Sequence, residues 1–176
     1  GEIISSLEKY ILPESSLPAS LTTDEIIECC RALKGLPLRQ EVYSYEGEDS
    51  IKQHPYTVTQ HNYEIQLLQP KTEQQYAVFL SHEKETLTFN YERNPLDPRI
   101  AHTINTDIDK FGNVLHSASI VYGRIKSDAQ LPTDKDRSKQ TKQNIIYSQN
   151  RFTAIINESQ AYRLPVPCET QTWEVN

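Results

Sequence analysis

Two β-patterned segments joined at Asp109-Lys110-Phe111-Gly112-Asn113 constrain this chain more than any other stretch, because that junction is a turn with a definite mechanism. Asp109 suits the first position of a type I turn, and Gly112 is free to take the left-handed conformation that closes it with a bulge before Asn113. On the incoming side Ile100, His102, Ile104, Thr106 and Ile108 are spaced two apart, as are Val114, His116, Ala118, Ile120 and Tyr122 on the outgoing side. That period predicts half-buried strands, each set on one face. The segment reads as a β-hairpin with Asp109, Gly112 and Asn113 as its structural turn residues and Gly112 at positive φ.

Upstream, residues Ser5 to Leu12 resemble the tail of a helix stopped by Pro13, followed by a polar connection to Ala19. Thr22 and Glu25 form a capping box, which predicts a helix from Thr23 to about Lys34. Ile26, Cys29, Cys30 and Leu33 fall at helical spacing, and Gly35 is a natural stop. From there the pattern changes to strands over Leu36 to Tyr45, Tyr56 to Leu68, Gln75 to Ser81 and Thr86 to Glu92. Gln69 to Glu73 and His82 to Glu85 read as hairpin turns, which makes the whole an antiparallel meander.

Residues 126–143 offer only Ala129 and Leu131 to bury among many charges, and read as a loop or mobile linker. Asn144 to Ser148 and Arg151 to Asn157 read as a further strand pair around Gln149-Asn150. Prolines hold Leu164 to Cys168 extended, and Trp173 follows. The expected fold is mainly β, an antiparallel meander of hairpins with one or two short N-terminal helices. Its organisation divides into a helix end and linker over 1–20 and a β-rich segment over 21–176 that includes the 126–143 linker.

A mean hydropathy of -0.64 is low for a self-contained globule. With no Met and Gly at position 1, the chain reads as an excised segment of something larger. A net charge of -6 argues against a sequence-independent nucleic-acid binder, whose affinity comes from Lys and Arg on phosphates. No apolar run approaches the roughly 18 to 20 residues that span a bilayer, so membrane contact is not expected of this segment.

No enzyme grammar stands out. Ser, His and Asp are present without a G-x-S-x-G elbow, and the glycines form no phosphate-cradling pattern. Three cysteines, two of them adjacent at Cys29 and Cys30, fit neither a disulfide framework nor a zinc site, and the adjacent pair on the helix reads as small apolar residues. His102 and His116 flank the hairpin and could face one another as a metal pair, but with no third ligand in view cross-strand packing is the better reading. Asp107 and Asp109 could form an acid/base pair, yet two-residue spacing beside a turn favours a solvated turn face. The expectation is a non-enzyme without catalytic, metal or cofactor residues, and a hydrolase whose residues converge only in three dimensions is the weaker rival.

Several phrases resemble one family, the middle to C-terminal region of the B component of bacterial Tc (toxin complex) insecticidal toxins, related to Rhs/YD-repeat proteins. The matching blocks are Cys30 to Tyr43, Pro55 to Thr59 with Asn62-Tyr63, Tyr91 to Thr103, Asp109 to Leu115 and Tyr162 to Glu169. The D-x-x-G-N turn followed by a strand ending in Tyr122 is similar to the Rhs/YD pattern. The resemblance implies an Rhs-like sheet and a non-catalytic role as part of a shell that, with the C component, encloses a toxic effector for delivery through the A pore component. It also implies a secreted or surface-associated toxin complex with the C and A components as partners. A cut-out shell wall would expose strand edges near Leu36 to Tyr45 and Leu164 to Trp173 and self-associate through them. The alternative is a β-rich binding module that recognises a glycan, receptor or partner protein.

Overall fold

The computed structural model describes residues 10–43, 54–92 and 94–175. Helix α1 spans Thr23–Ala32, and strands β1 to β5 span Arg39–Val42, Thr57–Gln69, Val78–Asn90, Arg99–Ile108 and Val114–Val121. Helix α2 covers Asp134–Gln140, followed by β6 (Asn144–Phe152), β7 (Ile156–Glu158), β8 (Ala161–Arg163) and β9 (Pro167–Val175). Seven strands form one sheet in the order β1-β2-β3-β4-β5-β6-β9, antiparallel throughout, while β7 and β8 make a separate small hairpin. The expected antiparallel meander with a short N-terminal helix is therefore the observed fold.

The sheet has two differently covered faces. Val58, Leu87, Phe89 and Ile100 form a buried cluster, with Tyr10, Leu12, Tyr91 and Tyr122 packed against it. Tyr63 and Ile65, at the opposite parity on β2, pack with Cys29 of α1, Leu21, Leu33 and Phe79. The N-terminal segment connects the two faces by crossing the edge of β2, where Ser16 exchanges backbone hydrogen bonds with Tyr63 and Ile65. Leu87 is 1 % exposed at the centre of the first cluster, and burying a side chain of its size contributes about 2 kcal/mol.

Helix α1 begins at the expected capping box: Thr22 Oγ1 accepts from the Glu25 N–H at 3.3 Å and Glu25 Oε2 accepts from the Thr22 N–H at 3.0 Å. The buried side of the helix differs from the expected one. Cys29 is buried and Leu33 packs beside it, but Ile26 and Cys30 are exposed. Glu25 is buried instead, because its second carboxylate oxygen accepts from the Lys71 N–H at 2.9 Å. Glu28 receives the Ala77 N–H at 2.7 Å in the same way, so two carboxylates fasten the helix to the connection between β2 and β3.

Three other expectations change. His82 to Glu85 do not turn the chain; they lie inside the continuous strand β3, with a bulge where Asn62 and Tyr63 oppose Glu85 and Glu83 and leave Lys84 unpaired. Cross-strand partners carry this polar run: His61 for Glu83, Glu64 for Lys84 and His102 for Glu85. Gln149-Asn150 likewise is no turn, because β6 runs unbroken against β5 and β9, and Asn150 donates its side-chain N–H to the Val114 carbonyl at 3.0 Å. Within 126–143, residues 134–140 are helical, capped by Thr133 accepting from Asp136 N–H at 3.1 Å.

The helix α2 excursion closes on itself. Arg124 N–H donates to Gln140 O at 2.8 Å, and a Cβ on Gly123 would lie 2.1 Å from the Thr141 carbonyl oxygen, so only glycine admits this approach. Of the other expectations, residues 5–9 of the helix tail and residues 44–45 of the first strand lie outside the described residues. Ile11 and Leu12 are not helical.

Candidate functional site

The turn predicted from sequence is built around one carboxylate. Asp109 Oδ1 accepts from Phe111 N–H and Asn113 N–H, both at 2.9 Å, and Oδ2 accepts from Asn113 Nδ2 at 3.0 Å. The backbone closes with Gly112 N–H to Asp109 O and Asp109 N–H to Asn113 O, each 3.0 Å, and Gly112 has φ +83°. Burial alone would raise the Asp109 pKa, but the hydrogen bonds from Asn113 and Phe111 outweigh it and hold the carboxyl below its ordinary value. Asp109 is thereby committed as an acceptor within its own turn.

Register also separates the paired groups weighed from sequence. A bulge on β4 leaves Thr106 without a partner and sets Asp107 opposite His116, so the two-residue period does not run unbroken from Ile100 to Ile108. His116 Nδ1 lies 3.6 Å from Asp107 Oδ2, and its ring packs on Tyr147. His102 instead stands opposite Leu87 and Ile120, so the two histidines do not face one another. Among the described residues no group of three or more His, Cys, Asp or Glu is placed to hold a metal.

What the structure brings together is a polar chain across the first apolar cluster. His102 Nε2 is 2.9 Å from Glu85 Oε2, and His102 Nδ1 is 3.0 Å from the Tyr122 hydroxyl. Asn62, 2 % exposed, donates Nδ2 to Glu85 Oε1 at 3.3 Å and to the Pro13 carbonyl at 3.1 Å. Tyr10 packs on Tyr122 with ring centroids 4.7 Å apart. In its neutral form the imidazole meets both partners as the Nε2–H tautomer, donating to Glu85 and accepting from Tyr122.

Carboxylate, imidazole and hydroxyl in line is also the arrangement of a nucleophile relay, so the chemistry of the last member decides the reading. Burial, with Tyr10 and Glu85 nearby, pushes the Tyr122 phenol up, which opposes formation of a phenolate. The ring is also packed between Tyr10 and His102. Such a chain rigidifies the sheet and ties the N-terminal segment to it. From sequence, Glu85 reads as part of a turn and Asn62 as an ordinary strand residue, so neither is singled out for this role. The available signal was parity: Glu85 precedes Leu87 and Phe89 at two-residue spacing, and Asn62 continues the set Val58, Gln60.

A second buried carboxylate, Asp97, accepts from Arg124 Nε at 3.1 Å and Ile125 N–H at 3.0 Å. It anchors the start of the α2 excursion to the connection before β4. An open groove of about 460 Å³ over β2, β3 and β4 is lined by Glu64, His82, Lys84 and Asp107 among others. Its His82 Nδ1 is buried without a partner, and burial lowers the His82 pKa.

Residues 28–173 match the model of the family described as the insecticide toxin TcdB middle/C-terminal region. The chain belongs to that family. In solved structures the TcdB-family chain is similar to a part of the TcdB2–TccC3 crystal structure, with TM-score 0.73 and 23 % identity over 97 % of this chain and 10 % of that one. It is also similar to part of the Photorhabdus luminescens Tc holotoxin pore, with TM-score 0.72 and 22 % identity over 99 % of this chain and 9 % of that one. A third likeness is to TcdB2-TccC3-TEV, with TM-score 0.71 and 25 % identity over 93 % and 8 %. This chain of the TcdB family thus spans about a tenth of the length of those chains. No curated protein matches it.

Proposed function

We propose that this chain is a non-catalytic wall segment of a toxin B component, part of the β-sheet shell that with a C component encloses an effector for delivery through the A pore. The single observation that carries the reading is the open seven-stranded meander in which, among the described residues, the outer sides of both edge strands β1 and β9 have no strand against them, in a chain of the TcdB middle/C-terminal family. An open sheet of this kind is suited to continuation by neighbouring strands rather than to closure upon itself. The Glu85–His102–Tyr122 chain supports the same reading, because it braces the sheet and offers no accessible nucleophile. The C component and the A pore are the implied partners, and a secreted toxin complex is the implied setting.

Hydrogen exchange on the parent B protein, assembled with its C-type partner, tests this directly. The backbone amides of β1 and β9 that face away from β2 and β6 are expected to exchange slowly in the assembled parent and quickly in the isolated chain. Equal fast exchange in both would overturn the wall reading. A binding module is the second reading, favoured by the 43 % exposed Trp173 beside Tyr147. Saturable binding on a glycan array by the isolated chain, abolished by Trp173→Ala, would shift the assignment to it.

A further inference from the structure

We propose that the groove over β2, β3 and β4 is a binding site for a guanidinium group, the arginine side chain of another polypeptide, held between Glu64 and Asp107. The site lies inside the sheet, away from β1 and β9, and does not rest on the wall reading. It exists because two neighbouring strands part. Pairing of β3 with β4 ends at Glu85 and Ile104; beyond that point, among the described residues, 78–83 pair with β2 alone, and Asn105, Asp107 and Ile108 pair with β5 alone. Lys84 on β3 and Thr106 on β4 are the bulged residues, and both line the groove. Asn105 clips one end of the gap by donating Nδ2 to the Glu83 carbonyl at 2.8 Å.

The lining selects the ligand by elimination. Two carboxylates, Glu64 and Asp107, share the groove with one lysine, Lys84, whose Nζ is already 3.1 Å from Glu64 Oε2, so an anion is disfavoured. No Trp, Tyr or Phe lines it for a sugar ring to stack on. Among the described residues no three His, Cys, Asp or Glu converge to hold a metal ion, so the cation that suits the groove is one whose donors are spread apart. A guanidinium carries five N–H donors in one plane and bonds carboxylates in pairs.

The individual groups agree with such an occupant. The Asp107 side chain is 52 % exposed and His116 Nδ1 stands 3.6 Å from its Oδ2, beyond hydrogen-bond distance, so the carboxylate is open to a ligand. His82 Nδ1, buried without a partner, adds an unmet acceptor to the groove wall in the Nε2–H tautomer. Burial also lowers the His82 pKa, so at neutral pH the ring meets a cation uncharged. Ile104 and Ile108 give the methylene stem an apolar wall. A free amino acid would bring its own α-carboxylate towards Glu64 and Asp107, which favours an arginine inside a polypeptide. Lys84 is the resident competitor for Glu64.

An NMR titration of the labelled 176-residue chain with Nα-acetyl-arginine amide tests the site, the amide spectrum showing that each variant is folded. Saturable shifts are expected at the Thr106 and Asp107 amides and the His82 ring, with a dissociation constant on the order of 1 mM. Asp107→Asn is expected to weaken binding about tenfold. Lys84→Gln is expected to tighten it about threefold by releasing Glu64, while Lys135→Gln, the same charge change on α2, leaves it unaltered. No saturable shift overturns the proposal, as does equal binding of Nα-acetyl-citrulline amide or a Lys84→Gln variant that binds no tighter than Lys135→Gln. Preference for Nα-acetyl-glutamate amide would make this an anion site at Lys84, and tighter binding of free arginine would overturn the polypeptide source.

Discussion

Glu85 Oε2 and His102 Nε2 lie 2.9 Å apart between adjacent strands, each side chain largely shielded from water. The pair sits diagonally across β3 and β4, where Glu85 opposes Ile104 and His102 opposes Leu87. It therefore joins polar groups inside an otherwise apolar face, and its worth depends on every member keeping a partner.

Removing both members is expected to cost less than the two single losses added together. Glu85→Leu leaves the His102 and Asn62 donors unmet and is expected to destabilise by about 2 to 4 kcal/mol, with a similar loss for His102→Leu. The double variant is expected to cost less than the sum by about 1 kcal/mol or more. Urea unfolding of the four proteins in the cycle gives the coupling, and strict additivity would show that the contact carries no energy.

Two glycines are expected to differ in kind. Gly112→Val forces a β-branched residue to φ +83° and is expected to cost about 1 to 2 kcal/mol, with the space beside Leu80 adequate for a Cβ. Gly123→Ala meets backbone at Thr141 and cannot be relieved by a side-chain rotation. Its expected effect is detachment of the α2 excursion, seen as faster hydrogen exchange of the Arg124 amide with the hairpin amides unchanged. Unaltered exchange at Arg124 would show that the backbone accommodates the methyl.

Acid stability has a component from each side of the titration. Burial lowers the His82 pKa in the folded chain, so the unfolded chain binds the proton more readily. Stability from this residue is present above the unfolded value of about 6.5 and is lost as pH falls through the window down to the folded value. His82→Gln is expected to flatten stability against pH in that window, and an unchanged slope would remove His82 as the source.

Asp109 acts at lower pH with the usual carboxylate sign. Its folded pKa is depressed, so its contribution is present above the unfolded value of about 3.9 and is lost as pH falls through the folded value. Asp109→Ala removes three hydrogen bonds within the turn and is expected to cost about 1 to 2 kcal/mol at neutral pH. Denaturant melts at neutral and acidic pH test both, since the variant and wild type are expected to converge in acid.

Sequence alone determined the elements whose physics is local. The hairpin reversal at Asp109 to Asn113 follows from one turn carboxylate and one glycine, and the start of α1 follows from Thr22 and Glu25 three residues apart. The positions of β1 and β9 as the outer strands were also legible, because a meander keeps chain neighbours together. Tertiary structure decided the rest. His82 to Glu85 look like a solvated turn until His61, Glu64 and His102 arrive from other strands, and residues 134–140 look like a linker until Thr133 caps them and Gly123 receives the chain again. A polar run in a sequence carries no record of whether water or another strand will satisfy it, so Asn62, Glu85, His102 and Tyr122 become one network only when the register of β2, β3 and β4 sets them side by side.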